Sequence, residues 1–340
     1  VNPAQLEICR IAGMRAIVAD PRTFDYDWHK IDAAKAARNI RGLIDEVDTN
    51  PAVFGYYIKD EPDASQFSGL AKVAALVRRH APGKWPYINL LPTYANRRQL
   101  GSATYAAHLD RFARVCRPSI LSYDNYFFMR PREDQAHYWQ NLELMRAAAL
   151  RHRVPFWNIV LSVAHFHYRE PSAADMRLQV FSSLAYGARG LSYFTYLAPA
   201  VGNYRSAPVD QFGAETATWQ HLQHVNRQVH ALAPVLLKLN STAVYHIGEI
   251  PPGACGPGEE SVLLDGNLGN LVVGELRRRD GARYLFVVNK DMRNSFYMDL
   301  KFRHAPRRIR LVSPYTGAHI DFAGEQPWLA PGQGSLLAIE

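Results

Sequence analysis

The sequence predicts an α/β chain: a (β/α)8 barrel of the TIM type that lacks its first two strands, followed by a small all-β sandwich. Three observations predict it. Through residues 1–240, apolar runs of strand length alternate with amphipathic helical stretches, the pattern of a parallel sheet with helices outside it. Several of those strands end in polar or aromatic residues, as strands do at the rim where barrel sites are built. After Asn240, helical spacing gives way to short β-rich runs separated by turn signals such as Asp280-Gly281 and Thr316-Gly317.

The elements follow in order. Asn2 to Gly13 reads as a helix, with Asn2 as cap and Pro3 at its first position. Met14 to Ala19 is an apolar strand, and helical spacing then runs from Trp28 to Asp48. Val53 to Ile58 is a buried strand that stops at Asp60, Glu61 and Pro62, because proline has no N–H to continue a ladder. Asp63 opens the next helix, with Ser65 also placed to cap and apolar spacing from Ser68 to His80. Pro86–Leu91, Ser119–Asn125, Pro155–Val163 and Gly190–Leu197 are further strands. Tyr105–Cys116, Glu133–His152, Ser172–Tyr186 and Ala217–Leu236 are the helices that follow or separate them. That makes six strands where a closed barrel has eight, and the missing two are expected upstream of Val1. Thr242–His246, Ser261–Leu264, Leu271–Arg277, Arg283–Asn289, Phe296–Phe302, Arg308–Val312 and Ser335–Ile339 read as the strands of the sandwich. The expected domain limits are therefore 1–240 and 241–340.

Composition narrows the function classes. The chain has 340 residues, 48% of them hydrophobic, enough for a large core and too many for wholesale disorder. No apolar run reaches the roughly 20 residues of a membrane helix, and no signal-peptide pattern opens the sequence. A secreted or periplasmic location is compatible with it, as is an oligomer. The net charge is +8, but its arginines, Arg277 to Arg279 and Arg307, Arg308 and Arg310, form only short clusters, so solvated basic faces are expected and no nucleic-acid partner. Cys9, Cys116 and Cys255 lack metal-type spacing, and the His165-x-His167 pair has no third ligand nearby, so no metal is expected. There is no G-x-G-x-x-G and no phosphate loop, and no cofactor is expected.

The chemistry-bearing stretch is Val53 to Pro62, VFGYYIKDEP, where two adjacent carboxylates sit at a strand-to-helix rim. Adjacent acids repel, so at least one is expected to hold its proton to higher pH, as a proton donor at neutral pH must. The bulky Tyr56, Tyr57 and Ile58 should partly desolvate Glu61. A helix-capping role for Asp60 and Glu61 is the alternative at this point. Asn89 and Asn158 are polar residues in otherwise apolar strands, and inside a barrel they must hydrogen-bond to ligand or neighbours.

GYYIKDEP (Gly55 to Pro62), YINLLP (Tyr87 to Pro92), SYDNY (Ser122 to Tyr126) and AYGARGLSYFTY (Ala185 to Tyr196) together resemble TIM-barrel glycoside hydrolases of clan A. The likeness is to family forty-two β-galactosidases and related uncharacterised bacterial glycosidases. YLFVVNKD (Tyr284 to Asp291) and VSPYTG (Val312 to Gly317) are similar to the accessory domain that often follows such barrels. The resemblance implies a carbohydrate substrate and Glu61 as acid/base at the end of the fourth barrel strand. It also implies Asn before that Glu, where Asp60 stands, and a nucleophilic Glu closing the seventh strand, where this chain has Ser162, Ala164 and His165. Three readings follow. Glu170 or Asp124 completes a pair with Glu61, the carboxyls roughly 5–5.5 Å apart in a retaining enzyme and roughly 6.5–9.5 Å in an inverting one. Or Asp60-Glu61 resembles the adjacent pair of substrate-assisted N-acetylhexosaminidases, where the acetamido group attacks. Or the barrel binds sugar without cleaving it. Asn89, Tyr123, Tyr126, Asn158, His165, Tyr193 and Tyr196 are the expected substrate-binding residues. Further aromatics at or past strand ends (Tyr94, Phe127, Phe128, Trp157, His167, Tyr168, Tyr204) offer flat faces that suit a pyranose.

Overall fold

The computed structural model describes residues 2–127, 135–265, 269–322 and 328–340; Phe128 and the expected helix start at Glu133 lie outside these. The chain divides into two compact units, residues 1–124 with 147–156, and residues 125–146 with 157–340.

The first unit opens with α1 (Pro3–Ile11), closed by a capping box between Asn2 and Gln5. Then come β1 (Ala16–Val18), the short α2 (Pro21–Phe24) capped by Asp20, and α3 (Ala33–Val47) capped by Asp32. Ala36, Ile40, Leu43, Ile44 and Val47 fall on one face of α3 and are buried. β2 (Val53–Asp60) leads into α4 (Phe67–His80). The helix begins later than its sequence signals imply. Its N-cap is Gln66, which makes no side-chain cap bond, while Asp63 accepts from the Ser65 amide at 2.7 Å in the turn before it. β3 (Trp85–Leu90), the single turn α5 (Arg97–Leu100), α6 (Tyr105–Cys116) and β4 (Leu121–Asp124) complete the unit. β1–β2, β2–β3 and β3–β4 all pair in parallel, with Asp60 opposite Asn89 and Asn89 opposite Ser122.

α7 (Gln135–His152) is divided between the units at Arg146, and the second unit holds β5 (Phe156–Leu161) from Trp157 onward, α8 (Ala173–Ala185), β6 (Gly190–Phe194) and α9 (Ala217–Leu236). β5 and β6 pair in parallel. Within each unit the parallel strands neighbour one another in chain order, β1-β2-β3-β4 in the first and β5-β6 in the second, as strands do in a TIM barrel.

Antiparallel strands follow: β7 (Leu239–Ile247), β8 (Leu263–Asp265), β9 (Leu271–Arg278), β10 (Arg283–Asn289), β11 (Phe296–Tyr297), β12 (Lys301–Phe302), β13 (Ile309–Val312), β14 (His319–Asp321), β15 (Trp328–Leu329) and β16 (Gly334–Ile339). One sheet has the order β14-β13-β16-β10-β9-β7, and two ribbons, β11-β15 and β12-β8, form separate pairs. The expected sandwich is thus lopsided, and the expected strand Phe296–Phe302 is split into β11 and β12. Tyr245, Leu263, Val273, Leu285, Met298, Leu329 and Leu337 meet in the core cluster of this β-rich part.

α8 shows why this unit holds together. Ser172 caps it, and it is buried on nearly every side. One side meets β5, where the Gln179 amide oxygen accepts from the Leu161 N–H at 2.9 Å and Asn158 donates to Ser183 Oγ at 2.8 Å. The other side packs on β9, β10 and β16, with Phe181 against Phe286 at 6.1 Å between ring centroids. Gly274 on β9 makes the approach feasible: a Cβ there would lie 2.0 Å from the Ala185 carbonyl oxygen.

Candidate active site

The C-terminal ends of β2, β3 and β4 bring four polar side chains to one place. Strand alternation explains the selection. Asn89 on β3 lies opposite Asp60 on β2 and Ser122 on β4, and Asp124 follows Ser122 by two residues on the same face. Asn89 is 5% exposed. Its amide nitrogen donates to Asp124 Oδ1 at 2.6 Å and to Asp60 Oδ1 at 3.1 Å, one hydrogen for each carboxylate. Its amide oxygen accepts from Ser122 Oγ at 3.0 Å. Because that hydroxyl hydrogen is committed to Asn89, the 2.7 Å contact between Tyr87 OH and Ser122 Oγ is made with tyrosine as donor. The result is a directed chain, Tyr87 to Ser122 to Asn89 to two carboxylates. Tyr87 and Ser122 are members of this cluster that the sequence reading did not single out. Their signal was the two-residue spacing from Asn89 and Asp124.

Glu61 arrives by a different device. Regular alternation would send neighbouring residues 60 and 61 to opposite faces. Here β2 carries a register irregularity between Tyr57 and Lys59, and Glu61 adopts φ +46°, left-handed for a residue with a Cβ. Its N–H still bonds the Asn89 carbonyl at 3.0 Å, so the turn is anchored to β3. Such a backbone costs of order 1–3 kcal/mol and is characteristically found at functional sites. The consequence is electrostatic. Both Glu61 and Asp60 push the Asp124 carboxyl up in pKa, so all three carboxyls share one neighbourhood.

The burdens are unequal. Burial is the main cause that pushes Asp124 up to about 7; the Glu61 and Asp60 charges add to it, against the Asn89 hydrogen bond. Glu61 stays accessible at the rim, yet desolvation, helped by the Asp60 charge, lifts its carboxyl above the usual range. Burial and the nearby Asp60 and Asp124 also hold Tyr87 at about 12, so it remains a hydroxyl donor. The cluster therefore keeps protons near neutral pH, which is the requirement for a general acid.

The second unit carries an aromatic group of its own. The His165 ring stacks on Tyr204 at 5.5 Å and lies 4.8 Å from Tyr168 and 5.3 Å from Phe194. Tyr126 contacts His165, Tyr168 and Phe194 in turn. Burial lowers the His165 pKa, which favours the neutral ring. His167 is exposed while His165 is buried, so the H-x-H pair does not present two nitrogens to one face. Among the described residues, no group of three or more His, Cys, Asp or Glu could hold a metal ion.

Several expected binding residues point elsewhere. Tyr123, fully buried, alternates with Ser122 and Asp124 and so faces away from the carboxyl cluster. Asn158 donates its amide N–H to Ser183 of α8 and so faces the helix layer. Tyr193 donates to Asn226 of α9 at 2.5 Å and so faces the helix layer. Tyr196 is exposed beyond the end of β6. Glu170 forms an exposed ion pair with Arg205, Nε to Oε1 3.0 Å.

No model of a protein family matches the sequence, and no curated protein matches it. Solved structures do match it in fold. A catalytic mutant of Gan42B, a family 42 β-galactosidase from G. stearothermophilus, is similar with a TM-score of 0.64 and 9% identity, over 99% of this chain and 90% of that one. The β-galactosidase of the psychrophilic Marinomonas ef1 gives a TM-score of 0.51 and 12% identity over 68% of this chain, which spans about half (52%) of that enzyme. A family 5 glycoside hydrolase from Bacteroides vulgatus gives 0.51 and 14%, over 91% of this chain and 67% of that one. The fold is that of TIM-barrel glycoside hydrolases, followed by a β-rich part.

Proposed function

We propose that the chain hydrolyses a glycosidic bond, with Glu61 as general acid. The observation that carries this reading is the left-handed turn at Glu61. It sets an accessible carboxyl of raised pKa beside the Asp60–Asn89–Asp124 cluster, at the strand ends where barrel enzymes act. In the reaction, the Glu61 proton passes to the departing glycosidic oxygen as the bond from the anomeric carbon breaks, and water adds its hydroxyl to that carbon while its remaining proton passes to the partner carboxylate. Residues 1–240 are taken as the catalytic part and 241–340 as its accessory part, because helix gives way to antiparallel strand between α9 and β7.

On this reading Asp124, whose carboxyl feels the Glu61 charge, is the base once it has lost its proton. A second reading is supported by the sequence at the end of β5, Leu161 to His165, which holds no acid, and by Asp60, which Asn89 keeps in place beside Glu61. An N-acetyl group of the substrate would then attack the anomeric carbon, oriented by Asp60, as the glycosidic oxygen leaves with the Glu61 proton; water, giving its proton back to Glu61, would open the cyclic intermediate.

The test is Glu61→Gln. General acid catalysis contributes about 10²- to 10⁴-fold, so turnover of alkyl glycosides should fall by that much. Glycosides with a dinitrophenol leaving group, which need little protonation, should lose far less. Equal losses on both substrate types, or none, would remove Glu61 from the role. Cleavage of N-acetylhexosaminides alone would select the second reading.

A further inference from the structure

The β-rich part contains a charged cleft that the proposed chemistry does not use. In the β9–β10 hairpin, Arg277 and Arg283 lie directly opposite each other, so two cations share one cross-strand position. Like charges so placed are destabilising, and neither arginine has an ion pair among the described residues. The nearby Arg278, Arg308 and Arg310 each have a carboxylate: Asp280, Asp321 and Glu340. Arg277 and Arg283 both line a cleft of about 690 Å³, and Arg283 also lines the adjoining one of about 540 Å³.

The cleft is a built feature. Its floor is the open end of the core face, Leu285 and Ile339. Its far wall is the turn from Gly258 to Val262, and this turn is fastened. Arg303 donates to the Ser261 carbonyl at 3.0 Å and the Gly258 carbonyl at 2.7 Å, and the Val262 N–H donates to Glu275 Oε1 at 2.7 Å. That turn carries Glu259 and Glu260, both exposed, which line the same cleft as the arginine pair.

We propose that this cleft binds an acidic polysaccharide of the uronate type. Arginine matches a sugar carboxylate with two parallel hydrogen bonds, and the two guanidiniums relieve their repulsion on it. The glutamates accept from the hydroxyls that separate one carboxylate from the next. Double-stranded DNA fits poorly, because no hydroxyl donor separates its phosphates to meet the two glutamates, and a single strand fits poorly, because the aromatic lining residue, Tyr284, is 4% exposed and offers no stacking face. A neutral glycan leaves the arginine pair uncompensated.

Affinity electrophoresis in native gels tests this, with polygalacturonate, dextran or double-stranded DNA cast in the gel. The protein should be retarded by polygalacturonate alone. Arg277→Ser combined with Arg283→Ser should weaken that binding about a hundredfold, about tenfold for each guanidinium–carboxylate pair removed. Turnover of small aryl glycosides by this variant should match the wild type, which separates the cleft from the Glu61 site. Glu259→Lys with Glu260→Lys should abolish the discrimination against DNA. The proposal is overturned if polygalacturonate does not retard the wild type, if the double serine variant binds undiminished, or if the wild type is retarded equally by DNA.

Discussion

Asp124 offers a direct test of the carboxyl cluster through the pH dependence of stability. Its carboxyl is raised from an ordinary value of 3.8 to about 7, chiefly by burial. The folded state therefore holds a proton that the unfolded state has released over roughly pH 4 to 7. Stability from this group is fully present below the unfolded pKa and is lost as pH rises through the folded one, at about 1.4 kcal/mol per pH unit. Over about three units that amounts to about 4 kcal/mol at most, a ceiling because three coupled carboxyls divide the protons among them. Asp124→Asn keeps the shape and still offers an oxygen to the Asn89 amide, but cannot ionise. Urea denaturation followed by tryptophan fluorescence, on both proteins from pH 4.5 to 8.5, isolates the effect as a difference between two curves. The variant should gain on the wild type steadily up to about pH 7 and then hold its lead. Parallel curves over that window would mean that Asp124 titrates as an exposed acid and that the cluster does not exist as described.

Three further outcomes follow from the same contacts. Asn89→Leu strips a shared donor from Asp60 and Asp124; it should cost about 1–3 kcal/mol in the same denaturation assay at pH 7 and move the Asp124-linked pH dependence to still higher pH, because the hydrogen bond that lowers its pKa is gone. Tyr87→Phe removes the donor that fixes the Ser122 hydroxyl, with an expected loss of about 1 kcal/mol and a smaller fall in turnover than Glu61→Gln; an effect as large as that of Glu61→Gln would point to a direct role in the reaction. Gly274→Ala forces a methyl to within 2.0 Å of the Ala185 carbonyl, and since backbone must move, the thermal midpoint should drop by an amount matching about 1–3 kcal/mol or more; an unshifted midpoint would contradict the close packing of α8 on β9.

The parallel architecture was legible because its signals are local. Asn2, Ser172 and the apolar spacing of Ala217–Leu236 mark helix limits that the structure keeps, and Arg283–Asn289 is a strand with the bounds its residues suggest. The misses fall where local signals compete or are weak. Asp63 looks like a cap, yet its side chain is used in a turn ahead of the helix. α5 is one turn long, and β14 and β15 are two or three residues each, too short for periodicity to register. Strand alternation decided the binding residues. Asn89 and Asn158 look equivalent in sequence, each a polar residue in an apolar strand. Asn89 falls on the face that meets Ser122, and Asn158 on the face that meets Ser183 of α8.

The acidic pair itself shows why the carboxyl cluster could be located but not assembled from sequence. Two adjacent acids on a regular strand face opposite ways, and only one could join Asp124. A single left-handed residue changes that outcome, and no residue type at position 61 announces it, since glutamate has no preference for positive φ. The turn is held by what surrounds it: Pro62, which cannot extend the strand, and the Asn89 carbonyl, which accepts from the Glu61 N–H. Asn89 therefore acts twice, its backbone fixing the turn that delivers Glu61 and its side chain fixing the two aspartates. A substitution at Asn89 that spares the backbone should consequently disturb the aspartates and leave Glu61 in its turn, so that proton donation and the positioning of its neighbours can be separated by the choice of side chain alone.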